Sequence, residues 1–330
     1  MNNQIISVVT GGSGFVGSHL VDLLLSKGHT VKCIIRNTSN TRWLDGKNVE
    51  LINSGLYDKT KLKEILKDAD YLFHIAGIVK AKSWEDYYKG NVETTKNLLE
   101  AVQESNTTIK RIIITSSLTA TGPSKIGKPN NESTTPNPIT RYGKSKLEEE
   151  KLVATFIPKL PITIIRPPAV YGERDTEIYL IFKTYKGGLL PLIGFNKKEV
   201  SIVNAKDLVR GMYLAATSPK AVGQTYFIGS TEYYNWNEMG DCIAKGMNRK
   251  AITLRIPHFL VYTVGAVAEF FSWFSSKAAT FNFEKARDFV QEAQTCDCSK
   301  AKNDFGYVSQ IPLDKGMKET IEWYKSEKWL

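Results

Sequence analysis

The sequence predicts an α/β fold, in which a doubly wound parallel sheet is followed by a smaller, mostly helical C-terminal lobe. Two observations support this fold class. Short apolar runs of strand length alternate with helical patterns through the first half of the 330 residues, which is the order that a parallel sheet with crossover helices produces. The first apolar run is followed at once by a glycine-rich turn and an amphipathic helix.

The predicted elements follow one another in a regular order. Strands rich in Val and Ile are expected at 4–9, 30–36, 49–53, 71–75, 109–115 and 162–166. Helices are expected at 15–27, 60–67, 84–104 and 142–156. After residue 168 the alternation loosens, but a helix at 205–217 and a strand at 225–228 are expected to return to the sheet.

The turn after the first strand, residues 10–17, reads Thr-Gly-Gly-Ser-Gly-Phe-Val-Gly. Two glycine spacings fit it: Gly12, Gly14 and Gly17 form G-x-G-x-x-G, and Gly11, Gly14 and Gly17 form G-x-x-G-x-x-G after a threonine. The glycines permit a tight turn, a close approach of phosphates to the backbone, and close packing of helix on strand. The turn therefore predicts a dinucleotide site, with the pyrophosphate over the helix N-terminus.

The expected domain organisation follows from this site and from the later loss of alternation. Residues 1–172 are predicted to form a dinucleotide-binding Rossmann domain, to which 199–228 return. Residues 173–198 and 229–330 are predicted to form a substrate-binding lobe.

The composition is that of an ordinary globular enzyme, with 42% hydrophobic and 24% charged residues. The formal net charge is +10, but the lysines are scattered and no basic block marks a nucleic-acid-binding tail. We therefore expect a solvated, lysine-rich surface, with attraction of the anionic cofactor and substrate as the alternative, and no nucleic-acid partner. The four cysteines show neither a disulfide framework nor zinc-ligand spacing, so no metal site is expected. Because no signal peptide precedes the first strand, a cytoplasmic location is expected.

One long apolar stretch, residues 258–276, raises the question of membrane contact. Glu269 interrupts it, and it is rich in small and polar residues. A spanning helix needs about 20 nearly uncharged residues, so no transmembrane span is expected. The stretch is predicted to pack in the core or at a subunit contact, with peripheral membrane contact as the alternative.

Tyr142 and Lys146 are four residues apart, so on a helix they share one face. The lysine ammonium favours the phenolate and so helps the tyrosine to exchange a proton with a substrate oxygen. Other Tyr-x-x-x-Lys pairs begin at Tyr57, Tyr179 and Tyr324, so the spacing alone is weak.

The position of Tyr142 in the chain separates it from the other tyrosines. It follows a strand that ends in hydroxyl residues, the last of them Ser117, and it opens a helix. The carboxyl ends of parallel strands are where ligands bind. Ser117 and Tyr142 are therefore expected to hydrogen-bond the same substrate oxygen.

Six segments together resemble the extended short-chain dehydrogenases/reductases, the family that includes UDP-galactose 4-epimerase, dihydroflavonol reductases and 3β-hydroxysteroid dehydrogenases. The resemblance covers nearly the whole chain. The segments are TGGSGFVG (10–17), DYLFHIAG (70–77), NV (91–92), TSS (115–117), YGKSK (142–146) and RPPAVYG (166–172).

This resemblance implies an NAD(P)-dependent oxidoreductase that interconverts a carbonyl group and a secondary alcohol of a small molecule by hydride transfer. It implies a homodimer, a frequent state of soluble proteins. The implied catalytic residues are Ser117, Tyr142, Lys146 and Asn91, the last matching the asparagine beside the active-site lysine. The expected cofactor-binding residues are Gly11, Gly14, Phe15, Val16, Gly17, Arg36, Ala76, Gly77, Tyr142, Lys146 and Pro167. His74 is expected to be a packing residue.

The end of the second strand bears on the choice of cofactor. An NAD-preferring site usually has an acidic residue there, which accepts hydrogen bonds from the ribose hydroxyls. Here the strand ends at Arg36, with Arg42 nearby. A guanidinium suits a 2′-phosphate, so NADP is predicted; NAD is the alternative, because arginine also stacks on adenine. The resemblance implies an adenine-contacting aspartate after the third strand, but Gly55 stands at that place.

The substrate class follows from departures within the family. Its nucleotide-sugar members carry an arginine that clamps the pyrophosphate, and in this chain Val200 stands at that position. Arg166 lies in a segment that carries an asparagine in those epimerases. Losing a bidentate phosphate contact is a large loss for an anionic substrate. A smaller or more apolar carbonyl substrate is therefore predicted, although Arg174 or Arg255 are possible replacement clamps.

Two alternatives to a net oxidoreductase stay open. A nucleotide-sugar epimerase or dehydratase would use the same site and recycle its cofactor. A non-catalytic dinucleotide sensor would bind partners through the second lobe.

Overall fold

The computed structural model describes residues 4–272, 274–275, 279 and 281–330. Positions 1–3 of the predicted first domain, and positions 273 and 276 of the apolar stretch, lie outside this part. The strands are β1 (Ile6–Thr10), β2 (Thr30–Ile35), β3 (Val49–Asn53), β4 (Tyr71–His74), β5 (Arg111–Thr115), β6 (Ile162–Arg166), β7 (Ala169–Tyr171), β8 (Leu189–Ile193), β9 (Glu199–Val200), β10 (Ile202–Asn204), β11 (Thr225–Phe227), β12 (Ile252–Ile256) and β13 (Ala293–Gln294).

The helices alternate with these strands through the first half and predominate after β6. They are α1 (Phe15–Ser26), α2 (Lys59–Leu66), α3 (Trp84–Tyr87), α4 (Thr94–Ser105), α5 (Arg141–Ala154), α6 (Tyr179–Lys186), α7 (Ala205–Thr217), α8 (Trp236–Met247), α9 (His258–Ser272), α10 (Phe283–Phe289), α11 (Ser299–Phe305) and α12 (Leu313–Ser326). Short 3₁₀ turns cover Leu118–Ala120 and Pro219–Ala221.

Seven strands form one parallel sheet in the order β11-β6-β5-β4-β1-β2-β3. The chain runs outward in both directions from β1, whose neighbours are β2 and β4, so the predicted doubly wound fold is confirmed. In such a sheet the crevice between the two central strands, at their carboxyl ends, is where ligands bind.

Burial on both faces explains why the strands read as continuous apolar runs. In β5 the residues from Arg111 to Ile114 are buried, and β6 is buried throughout. Helices α1 and α7 cover one face, and α2, α4 and α5 contribute to the other. Helix α7 packs on the sheet, and β11 pairs with β6 at one edge of it.

The segment predicted as one helix over 84–104 is interrupted by a π-helical stretch. Helix α3 passes into π-helical residues Tyr88–Glu93 before α4 begins at Thr94. The wider turn changes which side chains face the sheet, and such stretches often occur at functional sites. Sequence periodicity does not detect it, because one widened turn barely alters the spacing of apolar residues.

The remainder of the chain is mostly helical, as predicted. It also contains three two-stranded parallel sheets, formed by β7 with β10, β8 with β12 and β9 with β13. Helices α6, α8 and α12 enclose a second core around Phe182 and Tyr324. The division into domains at the stated boundaries stays a prediction. Within the part of the chain described, no helix is long and apolar enough to cross a membrane.

Candidate functional site

The candidate site lies where β1, β4 and β5 end. Ser117 follows β5 and opens a 3₁₀ turn, and α5 carries Tyr142 and Lys146. Thr140 caps α5 by accepting a hydrogen bond from the backbone N–H of Gly143 at 3.0 Å. The cap starts the helix one residue before Tyr142, which places Tyr142 in its first turn.

The Ser117 hydroxyl lies close enough to the Tyr142 phenol to lower the pKa of that phenol. Ser117 is 9% exposed, and its oxygen also accepts a hydrogen bond from the Thr119 hydroxyl at 2.8 Å. This contact orients the serine so that its own hydrogen is available to the phenol or to a substrate oxygen. The structure thus brings the two predicted residues together, and Thr119 is a supporting contact that sequence reasoning missed.

Lys146 lies one turn along α5, buried and paired with a carboxylate. Its Nζ donates to Glu149 Oε2 at 2.6 Å and to the carbonyl oxygen of Thr115 at 2.8 Å. Both members of the ion pair are almost fully buried. An ammonium has three hydrogens, so one remains for another partner.

The pKa of Tyr142 differs from the simple expectation that the neighbouring Lys146 lowers it. Burial raises the pKa of Tyr142, and the charge of Lys146 and the neighbouring Ser117 hydroxyl only partly oppose that shift. Glu149 raises the Tyr142 pKa further, because its carboxylate offsets the lysine charge. Burial lowers the Lys146 pKa, but the charges of Glu149, Tyr142 and Glu150 and the hydrogen bond to Glu149 together outweigh burial, so the net shift is upward and the lysine stays charged.

A continuous hydrogen-bond chain runs from this pair to the first strand. Thr95 Oγ1 lies 2.7 Å from Glu149 Oε1 and 2.6 Å from the carbonyl oxygen of Asn91, both of which are acceptors. The third contact of that hydroxyl, His74 Nε2 at 2.9 Å, must therefore be a donor. His74 Nδ1 then accepts from Thr10 Oγ1 at 2.7 Å.

The protonation state of His74 is consistent with this hydrogen-bond arrangement. Burial lowers its pKa from 6.5 to about 3, with Lys146 adding to the effect, so the ring is neutral and carries one hydrogen. The Thr10 hydroxyl also accepts a hydrogen bond from the backbone N–H of Ala76 at 3.2 Å. His74 is buried as expected of a packing residue, but it also joins the two ends of the site through hydrogen bonds.

Asn91 lies in the π-helical stretch and is fully buried. Its Oδ1 accepts from the backbone N–H of Ile78 at 2.7 Å, and its Nδ2 donates to the Ser145 hydroxyl at 2.9 Å. A Cβ on Gly77 would lie 3.1 Å from Asn91 Oδ1 and 3.4 Å from Lys146 Nζ. Asn91, Gly77 and Lys146 are therefore neighbours; the resemblance to the family implied that Asn91 lies beside Lys146, but not that Gly77 lies between them.

The glycine turn fits a phosphate group, and the structure distinguishes the two spacings. Gly11 has φ +71°, and a Cβ on it would lie 2.7 Å from the backbone nitrogen of Ala76. A Cβ on Gly17 would lie 2.1 Å from the Gly11 carbonyl oxygen. A Cβ on Gly12 would meet side chains rather than backbone, Cys33 Sγ at 2.8 Å and Val21 Cγ2 at 3.4 Å, so the Gly11, Gly14, Gly17 spacing carries the backbone constraint.

The remaining predicted cofactor residues surround this turn. Helix α1 begins at Phe15 after Gly14, which supplies no side-chain cap, so the N-terminal N–H groups suit an anion. Val16 packs on the core below the turn. Ala76 lies after β4, beside the turn. Pro167 follows β6, and its carbonyl oxygen accepts from the backbone N–H of Leu118 at 2.8 Å.

The arginines considered from the sequence are placed very differently from one another. Arg36 is exposed at the end of β2. Arg42 instead stacks on Trp43, with its guanidinium carbon 4.1 Å from the ring centroid. Arg174 is tied to α1 by Asp22 at 2.8 Å. Arg42 and Arg174 are thus already held by other parts of the protein.

Arg166 has a structural partner that explains its place in the sequence. It forms a buried bidentate ion pair with Glu150, whose carboxylate also accepts from the Ser116 hydroxyl at 2.5 Å. Successive glutamates of α5 therefore serve different partners: Glu149 pairs with Lys146 and Glu150 with Arg166. Sequence reasoning missed both. The available signal was a run of acidic residues three and four positions after a buried lysine.

Comparison with known proteins identifies relatives over nearly the full length of the chain. The model of the NAD dependent epimerase/dehydratase family matches residues 7–229. Ceramide reductase of Caulobacter vibrioides is 27% identical, with 98% of this chain and 96% of that protein covered. The 2-alkyl-3-oxoalkanoate reductase of Shewanella oneidensis is 27% identical, covering 94% and 84%. Sterol-4-alpha-carboxylate 3-dehydrogenase of Dictyostelium discoideum is 27% identical, covering 94% and 98%.

Solved structures share the fold. UDP-glucose 4-epimerase of Thermotoga maritima, with UDP-glucose, has a TM-score of 0.81 at 22% identity, covering 98% of this chain and 100% of that one. UDP-glucuronic acid 4-epimerase of Bacillus cereus, with UDP-glucuronic acid and NAD, has a TM-score of 0.78 at 22% identity, covering 98% and 100%.

We predict that Glu149→Leu destabilises the protein by about 3–5 kcal/mol, because it leaves the Lys146 charge buried without a partner. The double variant Lys146→Met with Glu149→Leu should recover most of that loss, since no buried charge remains. Urea unfolding midpoints of the variants measure both effects. Glu148→Gln, which removes an exposed carboxylate from the same helix, is the control. A Glu149→Leu variant as stable as the wild type would contradict the prediction.

We predict that acid sensitivity of folding depends on His74. Its folded pKa of about 3 lies below the ordinary 6.5, so its contribution is complete above pH 6.5 and is lost as the pH falls towards 3. His74→Gln, whose amide can still donate to Thr95, should reduce the slope of unfolding free energy against pH by up to about 1.4 kcal/mol per unit. Denaturation at a series of pH values tests this; equal slopes for variant and wild type would refute it.

Proposed function

The chain belongs to the NAD-dependent epimerase/dehydratase family, and from that premise we propose that it is an NAD(P)-dependent oxidoreductase that interconverts a carbonyl group and a secondary alcohol. The observation that carries the proposal is the meeting of Ser117, Tyr142 and Lys146 at the carboxyl ends of the central strands. A bound nicotinamide cofactor supplies or accepts the hydride.

In this proposal each residue of the site has a separate task. Ser117 donates its hydrogen to the substrate oxygen and orients the carbonyl. The Tyr142 phenol gives that oxygen a proton during reduction and takes it back during oxidation. Lys146 keeps a positive charge beside the phenol and uses its remaining hydrogen for the cofactor ribose. Asn91 holds the backbone at Ile78, next to Gly77, along the cofactor path.

The upward pKa shift of Tyr142 favours its protonated form, which is the form that a reductase needs at neutral pH. The phenol is then a proton donor before the reaction, and Lys146 stabilises the phenolate that forms when the proton leaves. Glu149 moderates this stabilisation because its carboxylate neutralises part of the lysine charge.

We propose NADP as the preferred cofactor, with NAD as the alternative. The support is Arg36, which is exposed at the end of β2, where a 2′-phosphate would lie. Arg42 does not support a preference for NADP, because its guanidinium stacks on Trp43 and Trp329. The solved UDP-glucuronic acid 4-epimerase contains NAD, which supports the alternative.

We propose that the substrate is a carbonyl compound with long alkyl chains. Two relatives support this class: one is a ceramide reductase, and the other acts on 2-alkyl-3-oxoalkanoates, in which an oxo group lies beside alkyl chains. The structure adds that Arg174 is held by Asp22 and Ser18 of α1 and is not available to clamp a nucleotide-sugar pyrophosphate.

We predict that Tyr142→Phe lowers kcat for a 3-oxo ester at least about 10³-fold, because no proton donor replaces the phenol. Cofactor Kd, measured by quenching of protein fluorescence, should change less than about threefold. Tyr213→Phe on α7 is the control. Unchanged turnover in Tyr142→Phe would refute the assignment of Tyr142 as the proton donor. Steady substrate-dependent NADPH consumption excludes an epimerase with recycled cofactor, and no turnover on any carbonyl compound would favour a sensor.

We predict that the wild-type protein binds NADPH at least about tenfold more tightly than NADH, and that Arg36→Ala removes this difference by losing a charge-assisted phosphate contact. Any copurified dinucleotide must be removed first. Parallel fluorescence titrations measure both dissociation constants. Arg42→Ala is the matched control and should keep the wild-type ratio. Tighter binding of NADH by the wild type would establish the NAD alternative.

A further inference from the structure

Helix α9 exposes apolar side chains where a helix of this kind normally exposes polar ones. Phe259 and Phe271 are each 65% exposed. Its buried residues are Val261, Gly265 and Ser272, two of which are small or polar. A surface helix usually shows the reverse pattern, with large apolar residues inside. The exposed large apolar residues of α9 are Phe259, Leu260, Val264, Val267, Phe270 and Phe271.

The β8–β12 pair, which directly precedes α9 in the chain through β12, also exposes large apolar side chains. Ile252 is the register partner of Leu189, and Leu254 lies two residues further, so all three side chains share one face of the pair. All three are exposed, Ile252 by 72%. Strand β12 leads directly into α9 through Pro257. We call the exposed residues of α9 together with Leu189, Ile252 and Leu254 the apolar face.

The apolar face is connected to the candidate site through α10. Helix α9 packs on α10: Glu269 accepts a hydrogen bond from the backbone N–H of Phe283 at 3.1 Å, and a Cβ on Gly265 would lie 2.9 Å from the Asn282 carbonyl oxygen. From α10, the Glu284 carboxylate accepts from the backbone N–H of Arg141 at 3.1 Å. Arg141 directly precedes Tyr142, so α10 contacts both the helix that carries the apolar face and the residue next to the phenol.

Cations border the apolar face. Arg249 and Lys250 lie just before β12, and Arg249 donates to the carbonyl oxygen of Lys186 at 2.7 Å, which brings the end of α6 alongside. At the far end of α9, Lys82 contacts the Ser275 carbonyl oxygen. The one acidic residue within α9, Glu269, is occupied by its bond to the Phe283 backbone. The exposed cations of this border are Lys82, Lys183, Lys186, Arg249, Lys250 and Arg255.

We propose that the apolar face docks on the surface of a bilayer that contains anionic lipids, and that the alkyl chains of the substrate reach the site from that surface. The second part rests on the proposed function. Large exposed apolar patches mark protein or membrane contacts. A second copy of the chain fits less well, because a two-fold contact through this face would bring like-charged borders together, whereas anionic headgroups neutralise them.

The dimensions of α9 agree with binding in the plane of the surface. Its 15 residues give a helix of about 22 Å, too short to cross the hydrocarbon core, but suited to lie in the headgroup region with its aromatic side chains inserted. The border cations would then lie at headgroup level. Docking in this orientation would place α10 and the first turn of α5 just above the lipid.

Vesicle flotation with the full-length protein tests the docking. We expect the wild type to float with vesicles of phosphatidylcholine and phosphatidylglycerol, to bind pure phosphatidylcholine at least about fivefold less, and to detach partly in high salt. The double variant Phe259→Ser with Phe271→Ser should lose at least about tenfold of the bound fraction. Val222→Ser with Ile126→Ser, which alters exposed apolar residues elsewhere, is the matched control and should bind normally.

Circular dichroism and thermal unfolding confirm that the variants are folded. The proposal is overturned if the wild type does not bind the anionic vesicles, or if the Phe259/Phe271 variant binds as well as the control. It is also overturned if sedimentation shows that this variant only converts a dimer to monomers without a change in vesicle binding.

Activity assays separate this proposal from the proposed function. With a soluble short-chain 3-oxo ester, the Phe259/Phe271 variant should keep wild-type turnover, whereas with a long-chain 3-oxo lipid in anionic vesicles it should lose at least about tenfold. Vesicle binding without turnover on either substrate would refute the proposed function and leave the docking standing. Turnover of the soluble ester by a wild type that binds no vesicles would refute the docking and leave the proposed function intact.

Discussion

The buried ion pair between Lys146 and Glu149 connects the parts of the candidate site. Lysine Nζ lies 2.6 Å from the carboxylate and 2.8 Å from the end of β5, so it fixes α5 against the sheet. The other carboxylate oxygen accepts from Thr95 on α4, and the chain continues through His74 to Thr10 beside the glycine turn. A buried pair is tolerated only when its remaining hydrogen bonds are satisfied, which ties these elements together.

This arrangement joins the two halves of the proposed chemistry. The glycine turn and the Ala76 backbone form the cofactor side, and Ser117 and Tyr142 form the substrate side. Lys146 and Asn91 stand between them, close to Gly77. The His74 ring is neutral, so it orients its hydrogen-bond partners without changing the charge balance around the phenol.

The substrate side is defined by what lies outside the sheet. Helix α10 contacts the start of α5 through Glu284 and also packs against the exposed α9. The aromatic surface of α9 and the border cations are unusual for a helix in contact with water. A site for a lipid-like carbonyl compound next to a surface that binds lipid would unite these features, and it would account for a C-terminal part rich in exposed phenylalanine.

The sequence by itself determined the fold class, the strands of the main sheet, the glycine turn and the candidate residues Ser117, Tyr142 and Lys146, because local periodicity and motif spacing report on local structure; Asn91 became a candidate only through the resemblance to the family. Only the tertiary structure decided which partner each charge has. Arg42 and Arg174 were candidates for phosphate contacts, yet they are held by Trp43 and Asp22. Glu149, the π-helical turn at Asn91 and the exposed side of α9 were equally invisible, because pairing, helix widening and burial depend on contacts between residues far apart in the chain.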